Sequence, residues 1–213
     1  NKAVLEIGCG EGNMASLISY AGAKYVDAID YSKEAIAIAS KKYNLDNVNF
    51  KVANVNEVKG AYDIIVIQGV LEHIDEPFET LEFILNNLLN ENGVLITSSP
   101  CFNNPRGYIW MTLQILFDVP MSLSDINFFS PSEFEDFAKE QNCTLKINST
   151  DHDMGGGERA IYDLKKRLVN ALSDAGMDNS KVENLLLWLD NNMKYFEHTS
   201  LTGVSMSYTF NKN

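Results

Sequence analysis

The stretch Val4-Leu-Glu-Ile-Gly-Cys-Gly-Glu-Gly12 begins as an apolar strand and ends in a turn that contains three glycines. A second apolar run, residues 25–29, ends on Asp30. Glycines let the backbone approach a ligand closely, and a carboxylate after the second strand can accept hydrogen bonds from ribose hydroxyl groups. The stretch therefore predicts a strand–turn–helix–strand unit that binds a nucleotide-like ligand.

The spacing of the glycines favours one ligand over its competitors. A dinucleotide fingerprint reads G-x-G-x-x-G, whereas this chain has Gly8-x-Gly10-x-Gly12, without the Gly-Lys-Ser/Thr ending of a phosphate-binding loop. Glu6 lies two residues before the first glycine, where its negative charge would repel a diphosphate. A ligand with a ribose, no phosphate and positive charge fits better, and S-adenosylmethionine (SAM) has all three properties.

Several motifs occur in an order that resembles class I SAM-dependent methyltransferases, over residues 1 to about 150. These motifs are Glu6-x-Gly8-x-Gly10-x-Gly12, Asp30, Tyr62-Asp63-Ile-Ile-Val-Ile67 and Leu71-Glu72-His73. The chain is most similar to the small-molecule group that includes the ubiquinone-pathway O-methyltransferases. The resemblance implies an α/β, Rossmann-like fold with a seven-stranded, mostly parallel sheet and helices on both faces. We expect a SAM-binding core at 1–150, a helical insertion at 151–200 and a final antiparallel strand at 201–213, within one domain.

Hydrophobic periodicity places the individual elements. Short apolar runs predict strands at 3–7, 25–29, 48–53, 62–67, 93–98, 144–149 and 203–210. Helices are predicted from a Ser32 cap to about 43, over 76–90 with a stop at Asn92-Gly93, and over 131–141. Gly155-Gly156-Gly157 predicts a flexible break. Two helices should follow, with a Ser180 cap on the second and with apolar stripes at Ile161, Leu164, Leu168, Leu172 and at Val182, Leu185, Leu189, Met193, Phe196.

The resemblance implies roles for residues at the carboxyl ends of the first four strands. Glu6 would hold the methionine ammonium directly or through water, Asp30 would bind both ribose hydroxyls, and Tyr31 would lie against the adenine. Asn54 matches the position that recognises the adenine amine, and Gln68 one near the methionine. Tyr31 alone suits ordinary packing equally well, Asn54 a turn, and Cys9 a small buried residue. The cofactor-binding set is Glu6, Gly8, Cys9, Gly10, Gly12, Asp30, Tyr31, Asn54, Val55, Gln68 and Gly69.

The expected reaction is methyl transfer from SAM to an oxygen or nitrogen of a small-molecule acceptor. His73 is the candidate catalytic base, although a histidine at a helix start that bonds a backbone carbonyl is an equal alternative. By resemblance, residues 100–128 form part of an acceptor pocket or lid, while 109–117 would equally suit a packing helix or dimer contact. The substrate candidates are Asn103, Arg106, Tyr108 and Trp110.

Two other functions compete with this hypothesis. One is a SAM-binding module without catalysis. The other is a metal-dependent RNA 2′-O-methyltransferase, a class that carries Glu-x-x-Glu-His. Gly69 stands where that motif has its first glutamate, so Glu72 and His73 make half of a metal site, and we predict no metal. NAD-dependent oxidoreduction is disfavoured by the glycine spacing and Glu6.

Composition narrows the partners and the compartment. The 213 residues carry a net charge of −12, which opposes binding to a phosphate backbone, and Lys165-Lys166-Arg167 suits a solvated helix face. Cys9, Cys101 and Cys143 form no CxxC pair, so we expect a reducing, cytoplasmic setting. The apolar run 107–117 is too short to span a bilayer. Nothing in the pattern indicates an oligomeric state. Because related methyltransferases carry a helix before this first strand, we expect a segment upstream of Asn1.

Overall fold

A computed structural model of the chain describes residues 1–122 and 124–212. The strands within these residues form one seven-stranded sheet in the order β3-β2-β1-β4-β5-β7-β6. The strand pairs β1–β2, β1–β4, β2–β3 and β4–β5 are all parallel, which confirms the predicted α/β sheet. The strands are β1 (Ala3–Ile7), β2 (Tyr25–Asp30), β3 (Val48–Val52), β4 (Tyr62–Gln68), β5 (Leu89–Pro100), β6 (Cys143–Thr150) and β7 (Ser205–Lys212).

The helices fill the connections between these strands, as the alternating sequence pattern predicts. They are α1 (Asn13–Tyr20), α2 (Lys33–Lys42), α3 (Pro77–Asn87), α4 (Pro105–Phe117), α5 (Pro131–Glu140), α6 (His152–Gly156), α7 (Glu158–Asp174) and α8 (Val182–Asn192). Short 3-10 segments occupy Val55–Glu57, Leu71–His73 and Met193–Tyr195. No helix in the described ranges is long and apolar enough to cross a membrane.

The strand β1 lies at the point where the strand order reverses. Ile7 pairs with Ile29 of β2 on one side and with Ile67 of β4 on the other. The carboxyl ends of these three parallel strands are therefore level at one edge of the sheet. Ligands of open α/β sheets bind outside the carboxyl ends of strands at such a reversal point. The register alone thus brings the residues after β1, β2 and β4 together.

Two predicted boundaries need correction. Helix α3 ends at Asn87 rather than about 90, because β5 already begins at Leu89, which pairs with Tyr62. The register then shifts, so that Ile64 pairs with Val94. The Asn92-Gly93 turn, predicted as a helix stop, therefore lies in a bulge of β5, and Asn92 adopts a left-handed φ of 60°.

The Ser32 cap of α2 is confirmed, since its Oγ accepts the Ala35 N–H at 3.1 Å.

The helices after residue 150 follow most of the predicted pattern. The buried stripe of α7 contains Leu164, Leu168 and Leu172 as predicted, with Ile161 partly buried beside it. In α8 the buried position is Leu186 rather than Leu185, because Val182, Leu186 and Leu189 share the inward face. The predicted Ser180 cap was wrong: α8 begins at Val182 without a side-chain cap bond, and the Ser180 N–H and hydroxyl donate to Asp178.

The three glycines at 155–157 form packed structure and not the predicted flexible break. Gly155 and Gly156 belong to α6 and are buried, and Gly157 precedes α7. A Cβ at Gly155 would lie 3.0 Å from the Thr202 carbonyl oxygen and 3.2 Å from Asn104 Cβ. Glycine therefore lets α6 pack closely against the neighbouring backbone.

The chain divides into two compact units, and the division differs from the predicted one. The sheet unit contains residues 1–99, 132–146 and those from 207 onward. The helical unit contains 100–131 and 147–206, so α4 groups with the helical insertion rather than with the core predicted at 1–150. The helical unit has a core of its own, which includes Trp110, Leu164, Leu168, Leu186 and Met193.

Asn104 organises the first turn of α4 in the helical unit. This fully buried side chain accepts the Gly107 N–H at 2.9 Å and donates to the carbonyl oxygens of Cys101 and Gly203 at 3.1 and 3.2 Å. We expect Asn104→Ala to lower the free energy of unfolding by about 2–4 kcal/mol, because it removes a helix cap and leaves two buried carbonyls without that donor.

Urea denaturation measures this loss. The matched control is Asn191→Ala, which removes an exposed amide that donates to the Leu187 carbonyl at 2.8 Å. That change should cost less than about 0.5 kcal/mol. Equal losses in the two variants would contradict the role given to Asn104.

Candidate cofactor site

The turn after β1 has a backbone that suits glycine. Gly8, Gly10 and Gly12 have φ values of 73°, 50° and 82°, in the left-handed region that residues with a side chain rarely adopt. The N–H groups of Gly8 and Cys9 donate to the Ile29 carbonyl at 2.8 and 2.9 Å. These bonds tie the turn to the carboxyl end of β2.

Asp30 holds the same turn with its side chain. Its Oδ2 accepts the Gly10 N–H at 2.8 Å, and its Oδ1 accepts the Ser32 N–H at 2.9 Å. One carboxylate thus fixes both the glycine turn and the start of α2. A carboxylate oxygen can accept more than one hydrogen bond, so Asp30 keeps acceptor capacity for the hydroxyl groups of a ligand.

The three glycines differ in what surrounds them. A Cβ at Gly8 would overlap Val70, and one at Gly12 would lie 2.7 Å from the Phe50 ring. A Cβ at Gly10 would meet no described atom within 4 Å. The first and third glycines are therefore required by packing inside the protein. The second faces open space, as expected where a ligand lies against the backbone.

Glu6 is a buried carboxyl group near this turn. The residue is 3 % exposed, and its Oε2 has no hydrogen-bond partner among the described residues. Burial raises the pKa of Glu6 to about 7, the negative charge of Asp30 adds to the increase, and a hydrogen bond from the Ala15 N–H partly opposes it. A buried carboxylate without a cationic partner is costly, so this position favours a ligand that brings positive charge.

Cys9 occupies the turn as a packed, neutral thiol. It is 6 % exposed, and burial raises its pKa, with further increases from the charges of Glu6 and Asp30. A thiol in such surroundings is a poor nucleophile. Its side chain therefore fills space, and its place in the candidate site rests on its backbone.

The remaining predicted cofactor residues follow β2, β3 and β4. Tyr31 is 82 % exposed directly after Asp30. Asn54 precedes the 3-10 segment that begins at Val55, and its N–H donates to the Glu57 carboxylate at 2.8 Å. Gln68 is exposed at the end of β4. Gly69 has a φ of 64° and donates its N–H to the Ser98 carbonyl at 3.0 Å. Sequence order and sheet register together place the whole set at the carboxyl edge.

The Leu71–His73 segment presents two residues in different environments. Glu72 is 4 % exposed, whereas His73 is exposed. In the ranges 1–122 and 124–212, no group of three or more His, Cys, Asp or Glu side chains is arranged to hold a metal ion.

The candidate substrate residues all lie in the helical unit. The Tyr108 hydroxyl donates to Asn103 Oδ1 at 2.6 Å, and Asn103 Nδ2 donates to the Leu201 carbonyl at 3.1 Å. Tyr108 is 52 % exposed, so this pair is accessible to a ligand.

The other two candidates have structural partners. Arg106 is ion-paired with Asp163 at 2.6 Å, with both side chains largely buried. Trp110 is 1 % exposed in the core of the helical unit, where the Arg167 guanidinium lies 4.9 Å from its ring centroid. The expectation of substrate contact at Trp110 is therefore corrected, because its burial in that core leaves little surface for a ligand. Arg106 instead forms an ion pair with Asp163 inside the helical unit.

Sequence reasoning missed Asn104 and Asp163. Asn104-Pro105 was a readable signal, since Asn is a favoured N-cap and Pro a favoured first helical residue. Asp163 lies four positions before Arg167, the spacing of a helical ion pair, and the two are 3.8 Å apart. Its closer partner Arg106 is distant in sequence, and local spacing gives no signal for that pair.

A family model described as a methyltransferase domain matches residues 1–146 of the chain, which is more than half of its length. The chain belongs to the class I SAM-dependent methyltransferases. The match covers the sheet through the start of β6 and includes every residue of the candidate cofactor site.

Curated relatives support the same family. The mitochondrial ubiquinone biosynthesis O-methyltransferase of Schizosaccharomyces pombe is 32% identical over 154 residues, which are 68% of this chain and 56% of that protein. The ubiquinone biosynthesis O-methyltransferase of Pelagibacter ubique is 29% identical over 157 residues, 68% of this chain and 63% of that protein. The mitochondrial enzyme of Saccharomyces cerevisiae matches over 45% of this chain and 33% of its own length. The chain thus spans less than two thirds of each of these relatives.

Solved structures share the fold. The plantazolicin methyltransferase BpumL in complex with S-adenosylhomocysteine (SAH) has a TM-score of 0.56 at 18% identity, covering 99% of this chain and 76% of that one. Coclaurine N-methyltransferase bound to N-methylheliamine and SAH has a TM-score of 0.58 at 18% identity, covering 99% and 67%. At 18% sequence identity, these similarities establish a shared fold and are not evidence for a shared substrate.

We expect Asp30→Ala to weaken SAM binding by about 1–3 kcal/mol, because it would remove the charge-assisted hydrogen bonds expected to ribose and would release the Gly10 N–H from its acceptor. Isothermal titration calorimetry on the folded variant measures the change. Asp46→Ala removes an exposed carboxylate of the same unit and should leave the affinity unchanged. Unaltered affinity in the Asp30 variant would contradict the placement of the cofactor.

We expect Gly10→Val to abolish SAM binding while the fold persists, since its side chain would enter the open space beside the turn. Gly22→Val is the matched control, because Gly22 also has a positive φ, 91°, and a Cβ there would also meet nothing within 4 Å. Both variants carry backbone strain of about 1–3 kcal/mol. A titration in which both variants retained affinity would show that the turn is structural.

Proposed function

We propose that the chain binds SAM at the turn after β1 and transfers its methyl group to an oxygen or nitrogen of a small molecule. Two observations together carry the proposal. The buried Oε2 of Glu6 has no hydrogen-bond partner among the described residues, and Gly10 faces open space. The first feature calls for a cation and the second leaves room for a ligand against the backbone. SAM supplies a cation and contains no phosphate that Glu6 would repel.

The residues of the carboxyl edge have complementary roles in this proposal. Glu6 would hold the ammonium group, Asp30 the ribose hydroxyls, and the N–H groups at the start of α1 the ligand carboxylate. The exposed ring of Tyr31 would lie against the adenine, with Asn54 and Val55 at its polar edge. Gln68 and Gly69 would flank the methionine portion.

Methyl transfer depends more on the alignment of the methyl donor with the acceptor than on general acid–base catalysis. SAM supplies an electrophilic methyl group bonded to a sulfonium. The protein must hold an acceptor in line with the bond that breaks and exclude water from it. His73 is the candidate base that would take the proton from an acceptor hydroxyl, and its position after β4 places it at the carboxyl edge.

The acceptor is proposed to be small, and oxygen is the favoured atom. The curated relatives over two thirds of this chain are named as O-methyltransferases. Asn103 and Tyr108 present an amide and a phenol that would contact a mixed polar and apolar acceptor. The net charge of −12 opposes a nucleic-acid acceptor.

A reducing compartment such as the cytoplasm is proposed for the protein. The free thiols of Cys9 and Cys101 are buried, and Cys143 is partly buried. The two yeast relatives are named as mitochondrial, and the bacterial relative is not.

Calorimetric titration with SAM, SAH and NADH is the first test. We expect dissociation constants on the order of micromolar for both adenosyl ligands and no binding of NADH, because Glu6 opposes a diphosphate. Tight binding of NADH, or the absence of SAM binding, would contradict the proposal.

Transfer of a labelled methyl group to a panel of phenols and amines then tests the reaction. Transfer to a member of the panel, with His73→Ala reducing kcat, would support an enzyme with His73 as base. Intact SAM binding without transfer would favour the non-catalytic module. Transfer to RNA that requires added manganese or magnesium, and is lost in Glu72→Ala, would favour the RNA enzyme.

A further inference from the structure

The environment of Glu6 sets a constraint on how the site changes between its free and its bound state. The side chain lies in the central strand, its sheet neighbours Ala28 and Val66 are apolar, and only 3 % of the residue is exposed. The free Oε2 has no partner within the described part of the chain. An ionised carboxylate in such a place must be either neutralised or paired with a cation.

The groups that face Glu6 do not supply that cation. Asp30, from the end of β2, is itself negative, and Cys9, from the turn, is a neutral thiol. Helix α1 contributes the Ala15 N–H, which stabilises the charge in part. Burial and the charge of Asp30 raise the pKa of Glu6, the Ala15 N–H lowers it, and the result is a pKa of about 7. In the free protein the carboxyl is therefore largely protonated below pH 7.

We propose that binding of an adenosyl ligand exchanges a proton on Glu6 for the ammonium group of the ligand. The Glu6 carboxyl group loses its proton to solvent, and the resulting carboxylate accepts a hydrogen bond from the ammonium at the oxygen that has no described partner. No covalent bond to the ligand forms. This inference rests on the proposed function and adds a regulation of the same site, in which occupancy of the site depends on pH.

The sign of the effect follows from linkage. Because the bound state requires ionised Glu6, affinity is low below pH 7, rises with pH, and levels off once the carboxyl is ionised in the free protein. Between pH 5.5 and 7.5 the association constant for SAM should rise about 25-fold, from the change in the ionised fraction of a group with a pKa of about 7. An α-amino group is half deprotonated at about pH 7.7–8.0, so the measurement stays at or below pH 7.5, where most of the ligand still carries its ammonium charge.

The test is calorimetric titration of the whole chain at pH 5.5, 6.5 and 7.5, in two buffers of different ionisation enthalpy at each pH. With SAM and with SAH we expect release of close to one proton per ligand at pH 5.5, decreasing as pH rises. Adenosine, which has no ammonium group, should bind with an affinity that is independent of pH. An equal pH dependence for adenosine would overturn the proposal, because the titrating group would then act elsewhere.

The variant Glu6→Gln separates this role from a purely structural one. Its neutral amide should reduce SAM affinity at pH 7.5 and abolish both the pH dependence and the proton release, while adenosine binding persists. The control Glu82→Gln removes an exposed carboxylate of α3 and should behave as the unmodified chain. A Glu6→Gln protein that kept the full pH dependence would overturn the proposal.

Stability of the free chain provides a second, ligand-independent measurement. A carboxyl whose pKa is raised on folding contributes stability that is present below its unfolded value, 4.5, and is lost as pH rises through about 7. At pH 8 the unmodified chain carries the unpaired charge and Glu6→Gln does not. The variant should therefore melt no lower than the unmodified chain at pH 8. A lower melting temperature for the variant at that pH would contradict the buried-charge argument.

Absence of SAM binding at every pH would refute the proposed function, whereas pH-independent SAM binding would refute this inference alone.

Discussion

The hydrogen bonds that Asp30 accepts are the interaction on which the arrangement of the site depends. Two backbone N–H groups, from Gly10 and Ser32, donate to one carboxylate at 2.8 and 2.9 Å. They join the turn after β1 to the start of α2, while the Ile29 carbonyl holds the same turn through Gly8 and Cys9. The backbone of the glycine turn is thus fixed by the strand that also carries Asp30, the carboxylate proposed to bind ribose. Preorganisation of this kind reduces the ordering cost that a ligand would otherwise meet on binding.

The same part of the structure also contains an energetically unfavourable feature, the buried carboxyl group of Glu6. Glu6 is buried beside Asp30 in a region where two negative charges are unfavourable, and its pKa is raised to about 7 as a result. A buried carboxyl without a cationic partner lowers the stability of the folded chain once it is ionised. The retained carboxyl therefore points to function, as perturbed pKa values do at many sites. The surrounding strand offsets the penalty, since Val4, Leu5 and Ile7 are all buried in the core.

The sequence was sufficient to predict the sheet of the sheet unit, and with it the edge at which the candidate cofactor residues lie, because both depend on local signals. Strand periodicity, the three glycines and Asp30 are all read from short stretches, and the parallel register then brings them together. The boundaries that failed depend on contacts distant in sequence. Leu89 leaves α3 because it pairs with Tyr62, and Leu186 rather than Leu185 is buried because α8 packs on the core of the helical unit. The sequence does not separate the two roles open to Trp110, because an aromatic residue after the fifth strand suits a pocket as well as a core. Only its packing partners, Arg167 among them, distinguish the two.

The two units carry different kinds of information about function. The family model ends at residue 146, so it covers the sheet through the start of β6 and, of the helical unit, only residues 100–131. The helices α7 and α8 lie beyond it, and they bury Leu164, Leu168, Leu186 and Leu189 in a core that contains Trp110. Asn103 and Tyr108, at the start of α4, are attached to this core and to the backbone at Leu201. Residues outside the shared region thus position the side chains that we assign to the acceptor. It follows that the cofactor can be inferred from the family model, whereas the residues proposed for the acceptor are held in part by residues 147–206, which lie beyond that model.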